Sequence, residues 1–88
     1  MINEEYSTIS NDRLTYFMDK IYNKWFRKWR DKTCEMSEIE WQMLIEEAVA
    51  IGEEGREHSI IIELIYALET ELEERQRKIR NKNRCEEV

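Results

Sequence analysis

SEIEWQMLIEEAVAIGEEG, residues 37–55, opens on a helix start signal and closes on two glycines. Ser37 and Glu40 have the Ser-x-x-Glu spacing of a capping box, in which each side chain serves the other residue's backbone N–H. Met36 and Trp41 flank that cap at hydrophobic-staple spacing. Trp41, Leu44, Ile45 and Ala48 then recur at helical intervals and form the main apolar face. Gly52 and Gly55 offer left-handed stops. This pattern predicts a helix over residues 37–52, followed by a hinge at 52–58.

The same signals reappear upstream. Ser10 can cap a helix, with Ile9 and Leu14 as its staple. Leu14, Phe17, Met18, Ile21 and Trp25 give that helix one apolar stripe, and it is expected over residues 10–32. Residues 1–9 read as a loose leader. Downstream, Ile61, Ile65, Leu68, Leu72 and Ile79 alternate four- and three-residue steps, interrupted where Arg75 falls on the seam. A third helix is expected over 57–82, with a charged tail at 83–88. Glu71–Arg75, Glu73–Arg77 and Glu74–Lys78 have favourable (i, i+4) spacing, worth about 0.2–0.5 kcal/mol each. At 1.5 Å per residue the third helix would reach about 39 Å and the second about 24 Å. The third helix should therefore outrun the bundle.

No proline interrupts the 88 residues, and 39% of them are charged. The expected architecture is all-α: one domain, a small antiparallel three-helix bundle with a long C-terminal helix. A chain of this length buries only about 60% of its unfolded surface, so the core is modest.

Charge is sorted into blocks along the chain. Residues 1–33 are net +2, residues 34–74 carry Arg56 alone against thirteen glutamates, and residues 75–88 are net +4. Separated blocks create a directional field, which steers encounters and biases partners. Recognition of another macromolecule is the function class this favours.

Catalysis finds little support in the sequence. His58 is the only histidine, and three residues before it stands Gly55, so the Glu-x-x-His pairs of a di-iron bundle are absent. No glycine-rich phosphate loop occurs, and two ligands such as Glu54 and His58 make a poor metal site. The chain is expected to be non-enzymatic, with no cofactor and no metal. Cys34 and Cys85 lie far apart and are expected as free thiols in a reducing cytoplasm. No run approaches the roughly 20 apolar residues of a membrane span. A net charge of −6 also opposes binding to an anionic membrane surface.

Three surfaces are candidates. The first combines Glu46, Glu47, Glu53 and Glu54 as the charge, with Tyr22, Phe26 and Trp29 as apolar anchors for a protein partner. Rows of carboxylates can imitate phosphates and occupy a basic groove that normally holds nucleic acid, so the partner is expected to be a protein of that kind. In size and charge the chain is similar to small acidic inhibitors encoded by phages and other mobile elements; the likeness is one of composition and covers no motif. The second surface is basic: Lys20, Lys24, Arg27 and Lys28, helped by Arg77, Lys78 and Arg80, would bind nucleic acid directly. The third is Ile39 and Met43, on the far side of the second helix from Trp41, which suit self-association and a homodimer; a structural self-association module, in which the third helix pairs with its twin, is the remaining alternative. A bland reading competes with all three. Tyr22 and Trp29 would widen the core, and the lysines would pair with the acidic helices.

Overall fold

The computed structural model describes residues 6–86, with side chains to residue 82. Three helices pack as an antiparallel bundle. The first is continuous over residues 11–30 but changes its winding: α-helical over Asn11–Met18, π-helical over Asp19–Phe26, and α-helical again over Arg27–Arg30. The second spans Glu38–Glu54 and the third Ser59–Glu86.

Both expected caps form. Ser10 Oγ accepts from the Arg13 N–H at 3.1 Å. Ser37 Oγ accepts from the Glu40 N–H at 3.2 Å, and Glu40 Oε1 accepts from the Ser37 N–H at 3.1 Å, closing the capping box. Part of the expected loose leader is pinned. Ile9 packs on the core, and Thr8 Oγ1 lies 2.8 Å from His58 Nε2. His58 Nδ1 accepts from the Ile60 N–H at 3.2 Å, so in the neutral ring Nε2 carries the proton and donates it to Thr8. Residues 1–5 of that leader lie outside the described residues. The expected tail is helical to Glu86.

The π segment explains a spacing that an α-helix cannot hold. Phe17, Ile21, Trp25 and Trp29 stand four residues apart, yet all are buried. In an α-helix of 3.6 residues per turn a four-residue step drifts forward around the axis at each repeat. The wider π turn, closed by i→i+5 bonds, drifts backward. Alternating the two keeps the four side chains on one face and brings Phe26 into the core beside them. Met18, expected on the apolar stripe, is exposed instead.

The elbow between the second and third helices corrects the reading of its glycines. The second helix runs past Gly52 to Glu54. Gly55 closes it with φ −79°, and the left-handed residues are Arg56 and Glu57, at φ 56° and 54°. The Glu57 N–H donates to Gly52 O at 2.8 Å and the Arg56 N–H to Glu53 O at 2.9 Å, the paired bonds of a Schellman motif. The glycines serve close approach instead. A Cβ on Gly55 would stand 2.7 Å from Ile61 Cδ1, and one on Gly52 would stand 3.1 Å from Ile62 Cδ1. Ile61 is fully buried and has nowhere to retreat.

At the opposite end, Gln76 is buried within the third helix and fastens the loop between the first two helices. Its Oε1 accepts from the Met36 N–H at 2.8 Å, and its Nε2 donates to Cys34 O at 3.2 Å. Arg75 donates to Lys32 O at 3.4 Å beside it. The expected seam interruption at Arg75 is thus part of a polar clasp. Among the described residues, the three (i, i+4) pairs expected along the third helix are not within ion-pair distance. Arg80 instead reaches Glu35 at 3.0 Å.

Candidate functional site: two acidic rows on one helix

The second helix carries glutamates in two rows, each with heptad spacing. Glu40, Glu47 and Glu54 form one row; Glu46 and Glu53 follow Ile39 in the other. A seven-residue step is close to two helical turns, so each row keeps a constant bearing.

The first row faces the first helix and is neutralised there. Glu54 Oε1 accepts from Lys20 Nζ at 2.6 Å, and its Oε2 accepts from the Tyr16 hydroxyl at 2.5 Å. Glu47 Oε2 accepts from Lys28 Nζ at 2.6 Å, while its Oε1 accepts from Trp29 Nε1 at 2.9 Å. Lys32 pairs with Glu40 Oε2 at 2.5 Å. The antiparallel order 20–54, 28–47, 32–40 closes the seam between the two helices. The Lys20 ammonium and then the Tyr16 hydroxyl hold the Glu54 carboxyl below its usual range. The Lys32 ammonium and then the Ser37 backbone do the same for Glu40. Lys20 is held above its usual value chiefly by its hydrogen bond to Glu54, against a smaller opposing effect of burial.

Two of the four expected partner-binding glutamates, Glu47 and Glu54, therefore belong to the fold. The expected aromatic anchors are also committed inward. Phe26 is 5% exposed and Trp29 4%, and Tyr22 alone is open, stacked on Phe26 at 5.7 Å. Lys28 and Lys32 cover the Trp29 ring at 4.9 and 5.8 Å. The bland reading of this flank describes Trp29 and the lysines Lys20 and Lys28, but not Tyr22, which stays open.

The basic surface is spent only in part. Lys20 and Lys28 face carboxylates of the second helix, Lys24 lies 3.8 Å from Asp19, and Arg27 donates to Asn23 at 3.5 Å. Arg80 is held by Glu35. Arg77 and Lys78 remain exposed, with no ion pair among the described residues.

The second row is free of cations. Glu46 accepts only from Gln42 at 3.2 Å, and Glu53 has no ion pair among the described residues. Between and beside them stand Ile39, 71% exposed, Met43, 48% exposed, and Ala50. Ile39 and Met43 are therefore open, as their position opposite Trp41 implies. Ile45 departs from expectation. It is exposed and, with Val49, borders a groove of about 340 Å³ against Ile62 and Tyr66 of the third helix. Glu53, Glu57 and Glu69 line the edges of that groove. Burial, and then the neighbouring Glu73, push the Glu69 carboxyl up.

Cys34 is an exposed free thiol. Among the described residues, no group of three His, Cys, Asp or Glu side chains is placed to hold a metal ion. No described helix is long and apolar enough to cross a membrane. The glutamates of the neutralised row step by seven residues, but the lysines they meet, Lys32, Lys28 and Lys20, step by four and eight, so the pairing becomes legible only in the antiparallel packing of the two helices. No protein-family model, curated protein or solved structure matches the chain.

Proposed function

We propose that this chain is a non-enzymatic regulator or inhibitor that binds a basic surface of another protein, in the manner of a small nucleic-acid mimic. One observation carries the reading: the outward face of the second helix presents Glu46 and Glu53 without cations, beside the open apolar side chains of Ile39 and Met43. Uncompensated carboxylates steer a basic partner, and the apolar pair supplies contact area once docked. Glu46 and Glu53 are separated by an axial rise of about 10 Å along one bearing of the helix, so the charge they present is a short row.

The internal pairing of the lysines supports this reading over direct nucleic-acid binding. A cation already held by a carboxylate releases fewer counterions when it meets a phosphate. The test is affinity capture from the native cell, comparing wild type with Glu46→Lys/Glu53→Lys. Reversal at these two positions leaves every ion pair in the fold intact. Loss of the captured protein in a variant that still melts with wild type supports the reading, and undiminished capture overturns it. A mobility shift at low salt addresses the nucleic-acid reading, which fails if the protein at micromolar concentration moves no nucleic acid.

A further inference from the structure

The third helix divides its charge by length. Residues 59–74 carry Glu63, Glu69, Glu71, Glu73 and Glu74 with no lysine or arginine. Residues 75–82 carry Arg75, Arg77, Lys78, Arg80 and Lys82 with no acid. Such a helix is complementary to a reversed copy of itself, because antiparallel pairing sets each acidic part against a basic one. The face available for that pairing is the stripe Ile62, Tyr66, Glu69, Glu73 and Arg77, at four- and three-residue steps. Tyr66 on this stripe is 66% exposed, and with Ile45 and Val49 it leaves the apolar groove uncovered. Glu69 sits in that groove beside Glu73 with no cation near, and the same molecule's Arg77 has no ion pair among the described residues.

We infer that the groove between the second and third helices is covered by a second copy of this chain, its third helix lying antiparallel across Ile62 and Tyr66 so that Glu69 of each copy lies opposite Arg77 of the other, with Glu73 one turn away from that arginine. The arrangement is two-fold symmetric, with its axis near residue 73, and each groove receives the basic end of the other copy. It leaves Ile39, Met43 and Glu46 outside the groove and meets the proposed partner-binding face only at Glu53, which lines the groove edge; the variants below leave Glu46 and Glu53 unchanged, so the two readings fail separately.

Sedimentation equilibrium of the full chain over the micromolar to near-millimolar range tests this. The expected result is a concentration-dependent rise toward twice the 10.9 kDa chain mass, weakening as salt is raised. Tyr66→Lys sets a cation against the basic end of the other copy and is expected to weaken the dimer about tenfold or more, the change that one like-charge contact of this kind produces, while the circular-dichroism melt stays in place. Glu69→Lys/Glu73→Lys and Arg77→Glu should each fail to self-associate yet form a heterodimer when mixed, since only the mixture pairs opposite charges. A monomer at every concentration overturns the inference. So does a dimer indifferent to Tyr66→Lys, or a mixture that stays monomeric while both variants are folded.

Discussion

Arg56 holds a left-handed conformation that is ordinarily left to glycine, at the residue after the cap of the second helix. The glycine stands one position earlier, where the close approach of Ile61 demands it. A non-glycine residue in this region carries strain of roughly 1 kcal/mol. Arg56→Gly relieves that strain but adds freedom to the unfolded chain, which costs about 0.4–1 kcal/mol, so a net stabilisation of at most about 0.5 kcal/mol is expected in chemical denaturation. Gln76 is the converse case, a polar residue whose burial is fully answered. Its amide satisfies Met36 N–H and Cys34 C=O at once, and it is 2% exposed. Gln76→Leu keeps the apolar surroundings filled but strands those two backbone groups. A loss of about 1–3 kcal/mol is expected from the orphaned donor, measured by the same denaturation series. A variant as stable as wild type would mean that the loop finds other partners.

At the scale of elements, the two acidic rows of the second helix should behave oppositely. Glu47→Lys/Glu54→Lys sets cations against Lys28 and Lys20 and strands the Nε1 of the buried Trp29, so its melting temperature should fall. Glu46→Lys/Glu53→Lys should melt with wild type. The pH dependence follows from the same seam. Glu40 and Glu54 have carboxyls lowered in the folded state, so their contribution is present above the usual carboxylate range and is lost as pH falls through their lowered values. Glu69, raised in the fold, acts in the opposite sense and offsets part of that loss. Lys20, raised by Glu54, contributes fully below the usual lysine range, and its share is lost as pH rises through its raised value. Thermal melts across the acid range should show a stability that declines with pH, and Glu54→Gln should flatten part of that slope. Much of this element structure is legible in the sequence. Both serine caps and the seam Ile61, Ile65, Leu72 depend on neighbours within a turn or two, and they are found where the spacing puts them. The four-residue series Phe17, Ile21, Trp25, Trp29 is equally visible, but it implies a π turn only once all four are known to be buried together. The candidate site was less legible. Which glutamates stay free depends on which lysines cross from another helix, and that is a property of the bundle.

The whole molecule is long for its size. Its extents are 59 × 25 × 17 Å and its radius of gyration is 15.9 Å, against about 12 Å for a compact chain of 88 residues. The third helix, about 42 Å over its 28 residues, sets that length. The fold divides the glutamate rows of the second helix into one, Glu40, Glu47 and Glu54, that is neutralised and closes the seam with the first helix, and another, Glu46 and Glu53, that looks outward without cations. That division gives the molecule a negative face without spending the charge that holds it together. The most direct test is capture from the native cell at two salt concentrations with wild type and Glu46→Lys/Glu53→Lys. A basic, nucleic-acid-handling protein retained by wild type, released at high salt and absent from the folded variant is the expected result. The same protein retained by both, with unchanged response to salt, would contradict recognition through this face.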